Sequence, residues 1–99
     1  MSAPERRRFE ISVDGELAGY TSYRSRPGVR AFIHTVVGAR FEGRGYASRL
    51  IAAALDATRR EGLTIEPICP YVRSFLAKHA EYLDLVPRDR RERFGLPAL

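Results

Sequence analysis

Apolar and polar positions alternate over residues 9–13, with Phe9, Ile11 and Val13 set against Glu10 and Ser12. That period of two is the mark of a half-buried strand. Asp14-Gly15 follows, a pair suited to a tight hairpin because both positions accept positive φ. A return strand over 17–23 is rich in Tyr and Thr, Arg26-Pro27-Gly28 makes the next turn, and 29–37 reads as a third strand. The three form an antiparallel meander. The period then changes. Tyr46, Ala47, Leu50, Ile51, Ala54, Leu55 and Thr58 recur at helical spacing, which predicts a helix over 43–61 capped by Gly62. A fourth strand over 63–68 comes after this crossover, so it is expected beside the third strand and parallel to it. Cys69-Pro70 ends that strand. Pro70 suits the first turn of a short second helix, whose apolar face is Tyr71, Val72, Phe75 and Leu76. The stretch 82–86 reads as a short final strand or a packed tail, and the charged stretch from Pro87 onward as loosely ordered. The fold class is α/β (α+β): a mixed, mostly antiparallel sheet with one long helix after the third strand and a short second helix.

Composition narrows this picture. A chain of 99 residues is expected to form one domain over 1–99, with an ordered core at about 9–86. Its apolar content of 44%, with five Phe and five Tyr, is enough for a modest core. No apolar run approaches the ~18 residues of a membrane span. The first eight residues carry charge without an apolar stretch behind it, so no secretory signal is expected. Cys69 is the single cysteine, which excludes an internal disulfide and suits a reducing, cytoplasmic setting. One Cys and two separated His residues make no metal cluster, so no metal is expected.

The net charge is +5, and Lys78 is the only lysine, so arginine carries nearly all of it. A basic surface suits nucleic acid, an acidic partner or a phosphate-rich ligand. The arginines gather at the two ends, in Arg6-Arg7-Arg8 and in Arg88, Arg90, Arg91 and Arg93, where they read as solvated tails. They are not interleaved with aromatics and match no nucleic-acid motif, so nucleic acid is not an expected partner.

Candidate chemistry centres on two places. The first is Glu42-Gly43-Arg44-Gly45-Tyr46-Ala47, between the run Phe32-Ile33-His34-Thr35-Val36-Val37 and the long helix. Glycines at such a junction let a ligand approach the backbone, and unpaired helix N–H groups then face a phosphate. The same glycines also serve a plain tight turn. The second place is Cys69. A thiolate there, favoured by the positive end of the helix that follows, could act as a nucleophile, and a neutral thiol could act as a general acid. Cys69 is equally readable as a small buried hydrophobe. His34 is either a base facing a cleft or a residue hydrogen-bonded within the fold. His79 reads as a capping or packing residue. Tyr20 and Tyr23 read as sheet surface or core, and Tyr71 as a pocket wall or core.

The order of strand, Gly-x-Gly-x-Ala turn, helix, strand and Cys69-Pro70-Tyr71-Val72 resembles the GNAT superfamily of acetyl-CoA-dependent N-acetyltransferases. Together with His34-Thr35, Pro67-Ile68 and His79-Ala80-Glu81-Tyr82, it looks like the minimal GNAT-like proteins of roughly a hundred residues. The likeness runs from about Phe9 to Val86. Three positions depart from the family pattern: Glu42 stands where Gln or Arg is usual, Val36 where a polar residue is usual, and Ala80 where Pro is usual. The resemblance implies acetyl-CoA as cosubstrate. Its pyrophosphate would lie over Glu42, Gly43, Arg44, Gly45, Tyr46 and Ala47, and its pantetheine arm beside Val36 and Val37. It also implies an N-acetyltransferase acting on an unidentified amine, a small molecule or a protein side chain, with Cys69 and His34 as candidate catalytic residues. A CoA or acyl-CoA binding module with little turnover is the alternative.

Overall fold

A computed structural model describes residues 2, 3 and 6–97; residues 1, 4, 5, 98 and 99 of the expected domain lie outside this description. Five strands form one sheet in the order β1-β2-β3-β4-β5: Ser2–Ala3, Arg8–Val13, Glu16–Arg26, Val29–Val37 and Thr64–Pro67. Neighbours pair antiparallel except β4 and β5, which are parallel. Helix α1, Tyr46–Arg60, provides the crossover between them, and α2, Pro70–Lys78, follows β5. The two-residue β1 is an addition to the expected meander.

The local signals act as expected in most places. Asp14 and Gly15 take φ of 51° and 80°, both positive as a tight hairpin with the native twist needs. At the end of α1, Gly62 adopts φ 74°, its N–H bonds Arg59 O at 3.0 Å, and Leu63 N–H bonds Thr58 O at 3.2 Å. That pair of bonds is the glycine-terminated closure of a helix. Leu50, Ile51, Ala54, Leu55 and Thr58 are its buried face, packed on β2, β3 and β4. Val72, Phe75 and Leu76 of α2 join the same core, whereas Tyr71 is half exposed.

A bulge sets the faces of β4. Ser22 pairs with His34 and Tyr23 with Phe32, so Ile33 is the extra residue. Phe32 and Thr35 are consequently both buried although three positions apart, and His34 is exposed. Tyr23 closes a ring cluster with Phe9 and Phe32 at 5.4 and 6.1 Å. Tyr20 lies toward the open face, under the Arg8 guanidinium at 4.3 Å.

Arg30 is buried within this core. It forms a two-pronged ion pair with Glu61 at 2.9 Å, bonds Thr58 Oγ1 at 3.0 Å, and lies 4.4 Å from the Tyr23 ring centre. It ties β4 to the end of α1. Arg30→Met is expected to cost about 2 kcal/mol in urea unfolding, near the value for hydrogen bonds to charged groups, because Glu61 is half exposed and can rehydrate. The same hydrogen bond holds the Glu61 carboxyl below its ordinary range. The stability Glu61 contributes is therefore complete above the ordinary carboxylate pKa. It is lost as pH falls through the lowered folded value. Arg30→Met should flatten that part of the acid limb.

Two segments take a form that the sequence left open or missed. Of the two outcomes expected for 82–86, a short strand or a packed tail, the structure has the packed tail: most of it lies in a 3₁₀ helix, Ala80–Leu85, with Leu83, Leu85 and Val86 buried. Five residues of alternating polarity do not distinguish a strand from a 3₁₀ turn, whose apolar positions can also fall inward. Side chains decide it: Arg59 of α1 pairs with Asp84, and Tyr82 Oη donates to Asp56 at 2.8 Å. The stretch after Pro87, expected as loosely ordered, is helical. Helix α3, Arg88–Arg91, leads into a 3₁₀ turn, Glu92–Phe94, and Leu96 is buried. Two of its three arginines have partners: Arg90 reaches Glu66 at 3.0 Å, and Arg91 Nε donates to Val86 O at 2.9 Å. At the other end, Arg8 belongs to β2 and pairs with Glu10 at 2.7 Å.

Candidate functional site

The site grows from the parting of β4 and β5. Their register runs only from Val29↔Thr64 to Phe32↔Pro67, closed by Cys69 N–H to Phe32 O at 2.9 Å. Pro67 has no N–H to continue the ladder, and Pro70 turns the chain into α2. β4 continues to Val37 alongside β3 alone. Gly19 holds it there: a Cβ at Gly19 would meet Val36 O at 2.5 Å. The far end of β4 thus offers backbone groups on the side β5 has left, which a peptide-like ligand can satisfy.

Beyond β4 the chain makes a 3₁₀ turn, Ala39–Phe41, and then the glycine turn. Gly43 and Gly45 take φ of 76° and 77°, outside the right-handed helical region. Helix α1 therefore begins at Tyr46, where the apolar periodicity begins, three residues later than the expected start at Gly43. Gly45 is its N-cap and offers no capping side chain, and the first turn holds no acidic residue. The positive end of a 15-residue helix is left to whatever occupies the space in front of it. A Cβ on Gly43 or Gly45 would meet nothing within 4 Å.

That space is a cavity of about 300 Å³ lined by Val37, Glu42, Gly43, Gly45, Tyr46 and Ala47, all expected there, and by Phe41, Ser48 and Tyr71. Val36 and Arg44 are not in its lining. Phe41 and Ser48 escaped the sequence reading. Phe41 is buried edge-on to Tyr46 at 6.1 Å, and its signal was its position just ahead of the glycine turn. Glu42 is exposed at the cavity. Of the arginines able to offset it, Arg40 is bound to Glu16 at 2.8 Å. Arg44 and Arg49 have no ion-pair partner among the described residues and are exposed.

Cys69 is the N-cap of α2 and is buried. Its Sγ lies 3.3 Å from Thr35 Oγ1, which lies 2.9 Å from Thr21 Oγ1. It stands at the point where β4 and β5 part and is outside the lining of the cavity. His34 faces the opposite side of β4, where Ser22 Oγ donates to its carbonyl at 3.3 Å. Neighbouring strand residues point to opposite faces, so the fold does not bring His34 and Cys69 together. Tyr71 proves to be a cavity wall. His79 caps α2 through its backbone and stacks on Phe75 at 4.1 Å.

A larger cavity, about 470 Å³, lies at the other end of the sheet against Arg26, Val29, Glu66 and Arg90. Val29 and Val37 are roughly 26 Å apart along β4, so this cavity is remote from the glycine turn. Its Glu66 is already paired with both Arg26 and Arg90. Among the described residues, no three His, Cys, Asp or Glu side chains gather to hold a metal ion. Among the described residues, no helix is long and apolar enough to cross a membrane.

A search of curated proteins finds no match. A family model described as GCN5-related N-acetyl-transferase matches residues 8–85, a span that includes the glycine turn, the parted strands and Cys69. The match and the mixed α/β fold agree, and the chain belongs to the GCN5-related N-acetyltransferase family.

Proposed function

We propose that this protein transfers the acetyl group of acetyl-CoA to an amine, and that it does so across the gap between β4 and β5. One observation carries the reading. The uncapped N-terminus of α1, its two left-handed glycines and the unpaired end of β4 converge on a single cavity. The backbone N–H groups at the start of α1 suit a pyrophosphate. The free edge of β4 near Val36 and Val37 suits the amides of a pantetheine arm. Arg44 and Arg49 supply positive charge that offsets Glu42.

The reaction joins the amine nitrogen to the thioester carbonyl carbon and breaks the carbon–sulfur bond, with CoA thiol as the leaving group. Unpaired backbone N–H groups at the parted strands would stabilise charge on the carbonyl oxygen. Holding donor and acceptor together supplies further acceleration. Cys69, adjacent to the parting and fixed by Thr35, is the side chain we assign to the thioester end, as acyl carrier or as acid for the leaving sulfur. We assign no step to His34.

Titration with acetyl-CoA followed by intact-mass analysis tests the reading. Saturable binding, with an acetyl adduct that disappears in Cys69→Ala, is expected for an acyl-cysteine route. Binding without an adduct, with turnover in an amine screen, supports direct transfer. Binding with neither favours the alternative of a passive CoA module. No binding would sink the proposal.

A further inference from the structure

We propose that the nucleotide end of the donor is read at a second, smaller cavity, where Lys78 selects for a 3′-phosphate and the stacked Phe75–His79 rings receive the base. The inference rests on the acetyl-CoA reading above and extends it. Its starting point is a cavity of about 200 Å³ against Ser48, Tyr71, Ser74, Phe75, Lys78 and His79. It shares Ala47, Ser48 and Tyr71 with the cavity at the glycine turn, so the two form one continuous groove. For a ligand with its pyrophosphate at the start of α1 and its thioester end toward Val37, this groove is a walled path for the nucleotide, past Ser48 and along α2 to its C-terminal turn.

The chemistry at that end suits a phosphorylated nucleoside. Lys78, the only lysine of the chain, is exposed and has no ion-pair partner among the described residues. The Phe75 and His79 rings lie 4.1 Å apart and 23° from parallel, with Phe75 buried and His79 partly exposed. A planar base can extend such a stack. Lys78 also lies in the last turn of α2, where a cation is favourable without any ligand. That role would not distinguish one ligand from another, which makes the comparison of two ligands decisive.

The test is calorimetric titration of the full chain with CoA and with dephospho-CoA, which lacks only the 3′-phosphate. At low salt CoA is expected to bind roughly five- to tenfold more tightly, as suits an exposed charge pair with a doubly charged group. Added salt should narrow the difference. Lys78→Gln, at an exposed position, is expected to bring CoA down to the affinity of dephospho-CoA and to leave dephospho-CoA unchanged. His79→Ala is expected to weaken both ligands alike, by about threefold. Equal affinities in the unaltered protein, or a preference that survives Lys78→Gln, would overturn the role of Lys78. Unchanged affinities in His79→Ala would overturn the base platform. All of those outcomes leave the acetyl-CoA reading intact. Failure of the unaltered protein to bind either ligand would overturn that reading and this inference together.

Discussion

Gly45→Asp is expected to weaken CoA binding by at least about 100-fold while the protein stays folded, because a carboxylate would then occupy the place of the pyrophosphate. The structure explains why loss of binding need not mean loss of fold. Gly45 is at φ 77° and its Cβ position is open, so the new side chain meets no protein atom. Asp tolerates the left-handed region better than most residues, so the backbone strain it adds at Gly45 is small. The melting temperature should therefore fall by no more than a few degrees. Gly45→Asn separates shape from charge: it fills the same space and tolerates the same backbone, but does not repel phosphate. Its affinity is expected between those of the glycine and aspartate proteins. An aspartate protein that binds CoA as tightly as the unaltered one would place the phosphate site elsewhere.

The prominence of Gly45 in the sequence and its place in the structure have the same cause. Glycine is readable because few other residues tolerate the backbone it permits, and that backbone is what opens the helix end. The parallel pairing of β4 with β5 was legible for a similar reason, since a helical crossover leaves few other arrangements. Local rules also revealed the Asp14-Gly15 hairpin and the Gly62 helix end. What the sequence did not reveal depends on contacts between distant residues. The bulge at Ile33 turns His34 outward, and no pattern in one strand announces an extra residue that only its pairing with Ser22 and Tyr23 defines. Arg30 carries no local signal of its role, because Glu61 and Thr58 are brought to it across 31 and 28 positions. The arginines beyond Pro87 read as solvated because their partners, Glu66 and the Val86 carbonyl, come from other elements. In the site, the glycine turn was readable as a local conformation. The wall residues Phe41 and Ser48 were not, because they come together with Tyr71 only once α1 and α2 lie side by side.

Cys69 marks the boundary between what the fold requires and what the chemistry requires, and two substitutions divide them. Cys69→Ala is expected to lower turnover by about 100-fold or more, in the range seen when a group acting on the reacting atoms is removed, with CoA affinity within about threefold of the unaltered protein. The cavity lining does not include Cys69, so ligand contacts survive its truncation. Alanine alone would leave the result open to a structural explanation. The thiol is buried and Thr35 Oγ1 is 3.3 Å away, so its removal leaves a small void and takes a partner from Thr35, whose other contact is Thr21. Serine removes that ambiguity. Its hydroxyl is smaller than the thiol and can bond Thr35 in the same place, yet it is a far weaker nucleophile and acid at neutral pH. If Cys69 acts in the chemistry, Cys69→Ser keeps the melting temperature and the CoA affinity and loses turnover with the alanine protein. If Cys69 only anchors the start of α2 to β4, the serine protein retains turnover and the alanine protein loses stability and activity together. Steady-state kinetics, calorimetry and thermal unfolding on the three proteins decide between these outcomes. The second would return Cys69 to the core and leave transfer to backbone polarisation and to the positioning of the two substrates.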